Sequence, residues 1–192
     1  MATIAVDELA ARMQRWGFLE DPAPPAALRW IETFLEAFGR GLKSADDAFP
    51  RIEALRAEAC LVPALELERL RSRDVLFFLD SVAQYVDHQL ELRGLPLDHD
   101  LGEIGKEFGL HPADALHAVR MALTGLPEGP PLELLFVLLG HDRIMMRVGA
   151  VNSKLLHGRG LEPIAFGPDG RPFEPIHGTQ PALNAPDSVT GD

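Results

Sequence analysis

Apolar positions recur at helical spacing along most of the chain. Ile4, Leu9, Met13 and Trp16 predict a short amphipathic helix over 4–16, with Asp7 and Glu8 suited to its first turn. Asp21-Pro22-Ala23-Pro24-Pro25 then reads as a stiff connector. From Ala26, Leu28, Ile31, Leu35 and Phe38 fall at i, i+3, i+7 and i+10, with Trp30 and Phe34 widening the stripe and Gly39 and Gly41 ending it. Ser44-Ala45-Asp46-Asp47 has the form of a capping box, and Pro50 falls where a first turn tolerates it. Ile52, Leu55 and Ala59 supply the inner face of that helix. A further helical segment follows Val62-Pro63 and runs through Leu70. The longest stripe, Leu76, Leu79, Val82, Val86 and Leu90, predicts a helix from Asp74 to Leu92, broadened by Phe77, Phe78 and Tyr85 and stopped by Gly94. Asp98 or Asp100 can cap a short helix that reaches Phe108.

The next stretch alternates helix and stop. Pro112 suits a first turn, and the helix it opens runs through Val119, Met121 and Leu123 to Gly125, which supplies a left-handed C-terminal cap. Pro130 and Pro131 suit the start of the next helix, Leu132 to Leu139, which is nearly all apolar and so predicted to be buried. Gly140 stops it, and a last helix extends from Asp142 to about Leu156. The pattern predicts an all-α fold, a helical bundle in two lobes. Its divisions are an N-terminal helix and connector (1–25), a first lobe (26–97), a second lobe (98–156) and an irregular arm (157–192). In the arm, Gly167-Pro168-Asp169-Gly170 is a turn signal, and a small β-hairpin or an extended arm that buries Phe166, Phe173 and Ile176 is expected.

Composition narrows the class. With 46% apolar residues, 192 residues suffice for a substantial core. No run approaches the roughly 18 apolar residues of a membrane helix, and no signal peptide is evident. Cys60, the only cysteine, excludes an internal disulfide and fits a reducing cytoplasm; among Ala59, Leu61 and Val62 it reads as a small core residue. The net charge of −11 runs against a strongly electrostatic nucleic-acid binder. It is uneven, however. Residues 1–99 carry 11 basic and 17 acidic side chains, 100–160 carry 6 and 7, and the last 32 carry 1 and 5. The densest basic group, Arg69, Arg71 and Arg73, is interleaved with Glu66, Glu68 and Asp74, as in a solvated turn.

One string is more specific. Arg120-Met121-Ala122-Leu123-Thr124-Gly125, then Gly129-Pro130-Pro131-Leu132, Leu138-Leu139-Gly140 and the arginines Arg143 and Arg147, resembles the end of bacterial glutamyl-tRNA synthetases. With pattern-level agreement upstream, the resemblance runs from about residue 27 to 149. It implies the all-helical anticodon-binding domain of that family, a helix cage that reads tRNA through backbone groups and small side chains of the loop after Thr-Gly. Carried over by position, the RNA-binding residues are Arg120, Thr124, Gly129, Pro130, Leu132, Arg143 and Arg147. Two positions depart from the family: Ala118-Val119 replaces its usual Pro-Leu, and His141 replaces a lysine, losing a positive charge at neutral pH.

The same resemblance exposes what is missing. The synthetase chemistry needs a His-x-Gly-His-type strand and a Lys-Met-Ser-Lys-Ser-type loop, and the sequence contains neither. Phosphate loops, nucleophile elbows and His-Glu-x-x-His helices are likewise missing from it. His111 and His117, with Asp114 between them, sit about 240° apart on a helix, too far round to share one ion. The sequence therefore predicts a non-catalytic protein without cofactor or metal. Its expected partner is tRNA, with a synthetase, another translation protein or a second copy of the chain as further partners. The alternative is an acidic helical interaction module that has lost RNA binding, favoured by the charge, by His141 and by the Pro-rich arm. A small-molecule site would need converging polar groups that the sequence does not display.

Overall fold

The computed structural model describes residues 4–157. The expected arm and hairpin of 157–192 lie outside the described residues, apart from the backbone of His157. Within the described residues the protein is all-α. Eight helices follow in order: α1 (Val6–Arg15), α2 (Pro25–Phe38), α3 (Phe49–Arg56), α4 (Ala64–Arg69), α5 (Arg73–Asp87), α6 (Leu97–Glu107), α7 (Pro112–Thr124) and α8 (Leu132–His157). One contiguous set of buried side chains links them, from Ile4 to Val151. The last helix is the central strut, packing on α2, α3, α5, α6 and α7.

Local chemistry sets most of the boundaries. Asp47 accepts from the backbone N–H groups of Lys43 (2.8 Å) and Ser44 (3.0 Å), anchoring a 3-10 turn that leads into α3. Those two bonds hold the Asp47 carboxyl below its ordinary range. Ser72 caps α5 by accepting from the Val75 N–H at 3.1 Å. His111 caps α7 in the same manner through Nδ1, and Pro112 takes the first position. Helix α6 begins at Leu97, ahead of the expected capping aspartates. Asp98 and Asp100 lie in its first turn, where they face the positive end of the helix dipole.

The α5 helix is shorter than its stripe. It ends at Asp87: the Gln89 N–H turns to the Val86 carbonyl (3.0 Å), and the Gln89 side chain donates to the Tyr85 carbonyl (3.2 Å) in place of the backbone. Leu90, expected on the inner stripe, is fully exposed beyond that end. Phe77 is also on the outside, where Arg73 covers its ring at 5.2 Å. The inner face is Val75, Phe78, Leu79, Val82 and Val86. Arg69 and Arg71 pair with Glu66 and Glu68 on α4 and its end.

Helix α8 has two arms meeting at Gly140, whose φ of 70° and ψ of 170° belong to glycine alone. The break frees carbonyls of the first arm, and the Trp30 indole on α2 donates to one of them, Leu138, at 2.9 Å. Trp30 stacks on Phe34 at 5.5 Å, and Phe34 is wholly buried, so the aromatic stripe of α2 is core.

Tyr85, the only tyrosine, donates to Asp100 Oδ2 at 2.7 Å and ties α5 to α6. Burial first, then the bond to Asp100 and its charge, push the phenol up to about 12 from an ordinary 10. The unfolded chain therefore loses this proton first. Its contribution to stability is fully present below pH 10 and is lost as the pH rises through about 12. A tyrosinate absorbance titration of the folded protein is expected to have its midpoint near 12, and Asp100→Asn is expected to bring it back toward 10.

Candidate functional site

The loop Gly125–Pro131 joins α7 to α8. Its tip, Leu126 to Gly129, is exposed, but its backbone is held at both ends. Thr124 Oγ1 donates to the Arg120 carbonyl (2.8 Å) and accepts from the Leu126 N–H (3.1 Å). Arg120 Nη1 donates to the Pro130 carbonyl at 2.7 Å. These two residues of the sequence signature, both on the last turn and a half of α7, brace the loop from its helical end.

The C-terminal carbonyls of α7 are satisfied by its cap residue and by two residues remote in sequence. Gly125, with φ of 69°, donates its N–H to the Met121 carbonyl. Cys60 Sγ donates to the Ala122 carbonyl at 3.2 Å. The Leu123 carbonyl receives Arg147 Nη1. Through Nη2 the same guanidinium reaches Ala54 (2.6 Å), Leu55 (3.3 Å) and Ala57 (2.8 Å), at the C-terminal end of α3. Arg147 thus sits at two helix C-termini, where carbonyl dipoles balance a cation that is 2% exposed. Burial lowers its pKa, though a guanidinium keeps its proton. Burial also raises the Cys60 thiol, against the opposing effect of Arg147 and Lys154.

Beside the loop lies a cavity of about 860 Å³. Its walls are mainly apolar, formed by Phe38, Leu55, Leu61, Leu126, Pro130 and Leu135. Arg40, Arg51, Arg147 and Thr124 also line it, with Glu128 the one carboxylate among its lining residues. Leu61 and Leu126 are about 60% exposed, so the apolar wall continues outward at the mouth (59% and 60%).

The expected site residues are only partly brought together. Thr124, Gly129, Pro130 and Arg147 line the cavity, and Arg120 stands behind Pro130. Arg147, expected among the RNA-binding residues, is buried: both Nη atoms are committed to core carbonyls and its Nε is enclosed without a partner among the described residues, which removes it from direct contact with a phosphate. Leu132 is 2% exposed, beneath the loop rather than on it, because it opens the buried first arm of α8. Arg143 borders a different recess, with Phe18, Trp30 and Arg56, and its Nε donates to the Arg56 carbonyl at 3.2 Å. His141 Nε2 lies 2.7 Å from the Gln89 carbonyl, on the α5 side.

The sequence reading overlooked the segment from Ala57 to Pro63 and the pair Arg40 and Arg51, which complete the cavity. Gly125 was the available clue. A Cβ there would stand 2.0 Å from the Leu61 carbonyl oxygen, so this glycine serves close approach as well as helix termination. Among the described residues no group of three or more His, Cys, Asp or Glu side chains could hold a metal ion. No helix among them is long and apolar enough to cross a membrane. Comparison with protein-family models and with curated proteins found no match for this chain.

Proposed function

We propose that this chain is a non-catalytic relative of the glutamyl-tRNA synthetase anticodon-binding domain, acting in the cytoplasm by binding tRNA or assisting a translation complex. The observation that carries the reading is the loop Gly125–Pro131, exposed at its tip and fixed by Arg120 and Thr124 of the same signature string. A loop braced in this way loses little freedom on binding, and its backbone groups can read an unstacked base without a strongly basic surface. That accommodates a net charge of −11. Direct contacts in this reading fall to Gly129, Pro130 and the exposed loop tip. Arg120 and Thr124 are positioning residues.

Binding to total tRNA and to a tRNA-Glu transcript, followed against salt, tests it. Micromolar affinity is expected, weakening by about 20- to 40-fold between 50 and 200 mM salt if some three phosphates are contacted. Gly129→Trp, at the exposed loop, is expected to abolish anticodon-dependent binding without unfolding the protein. No binding at low salt would defeat the reading. The second reading, an interaction module, is favoured by the apolar cavity mouth at Leu61 and Leu126; in that case a protein partner or a second copy occupies the surface and tRNA does not.

A further inference from the structure

The cavity beside the loop is larger and more apolar than a backbone-reading surface needs. Its volume, about 860 Å³, lies in the range of built ligand sites. Its charged lining residues are three arginines against one glutamate, in a chain that is otherwise strongly acidic. An occupant must then be apolar in body and acidic at its edges.

The chain itself carries such a segment. Residues 161–176 read Leu-Glu-Pro-Ile-Ala-Phe-Gly-Pro-Asp-Gly-Arg-Pro-Phe-Glu-Pro-Ile, with Glu-Pro-Ile occurring twice. Three carboxylates face one arginine in that stretch, the reverse of the cavity's balance. The position of α8 also suits it. Helix α8 contributes Leu135 and Arg147 to the cavity lining, and it ends at His157, ten residues or about 15 Å beyond Arg147. Seven extended residues span up to about 23 Å, so residues 158–164 are long enough to bring Ile164 back over that distance.

We propose that residues 161–176 of this chain dock in the cavity bounded by α3, the 57–63 segment and the Gly125–Pro131 loop. Ile164, Phe166, Phe173 and Ile176 supply the apolar contact, and Glu162 and Glu174 meet Arg40 and Arg51. Docking is intramolecular, so the effective concentration of the segment is high and a modest contact suffices. The inference does not depend on tRNA binding, although an RNA reaching the loop would meet the same rim.

Cys60 is a built-in reporter, being the single cysteine and part of the cavity lining. The test is the rate of maleimide alkylation of Cys60 in the full-length chain, native and as Phe166→Asp with Phe173→Asp. The double variant is expected to react about tenfold faster, and a synthetic peptide of residues 161–176 is expected to restore the slow rate. Arg40→Glu is expected to speed alkylation as well, and Glu162→Arg with Glu174→Arg in that background to slow it again. Equal rates in the native and double-variant chains overturn the proposal. So does a faster rate that the peptide fails to reverse, which marks loss of packing, and so does protection that vanishes on dilution, which marks a second copy as the occupant.

Discussion

Replacing Arg147 with methionine is expected to cost about 4 kcal/mol of stability or more, because four carbonyls lose their donor at about 1 kcal/mol or more each. The acceptors are those of Leu123, Ala54, Leu55 and Ala57. Two of the three elements involved end here, so the loss falls on the C-termini of α3 and α7 together. Methionine keeps the volume and apolar stem of the side chain, which separates the hydrogen bonds from the packing. Arg147→Lys is expected to recover less than half of the loss. An ammonium is a compact charge that cannot span carbonyls on two helices as a planar fork does. Urea midpoints of the three proteins, measured with their slopes, give the comparison directly. A stability of the methionine variant, midpoint times slope, within about 0.5 kcal/mol of native would show that the guanidinium is dispensable.

Gly125→Ala is expected to cost roughly 2–5 kcal/mol, in two separable parts. A left-handed conformation costs an L-residue about 1–2 kcal/mol, and Gly125 has φ of 69°. The added Cβ also meets the Leu61 carbonyl oxygen at 2.0 Å, so the Cys60–Val62 backbone must shift. Overpacking of this kind typically costs about 1–3 kcal/mol more. Gly109→Ala isolates the first part, since Gly109 has φ of 73° but no atom within 4 Å of its would-be Cβ. Thermal or urea unfolding of the pair should therefore differ by the contact alone. Equal losses at the two glycines would mean that the Leu61 segment yields freely.

Much of the helical framework was legible because it depends on short-range rules. The stripe Leu28, Ile31, Leu35 and Phe38, the proline at the start of α7 and the glycine at its end each follow from one turn of backbone. The termination of α5 was not legible from its stripe, since Leu90 continues the apolar period past the point where Gln89 takes the Tyr85 carbonyl through its side chain. The loop of the candidate site was found through its Pro and Gly signals. Its wall was not, because Cys60, Leu61, Arg40 and Arg51 are brought to it from some 60 to 90 residues away by packing. Arg147 misled for a similar reason. Its neighbours at helical spacing, Ile144 at i−3 and Val151 at i+4, are apolar and buried, and their apolar character was the signal that the arginine points inward.

Gly140 bears on the phase of α8. In the first arm Leu132, Leu135, Phe136 and Leu139 point to the core. An unbroken helix would carry that stripe on through residues 143, 146 and 150. The buried stripe of the second arm instead includes Ile144, Arg147, Val148 and Val151, with Met146 exposed, a slip of about one residue. One residue is about 100° of helical rotation. Without the break, Arg143 would swing toward the core and Val148 toward water. The glycine therefore works as a counted insertion that restores the angular register of one strut against all the helices it braces. The number of residues between Leu139 and Ile144 is thereby fixed as firmly as their identities.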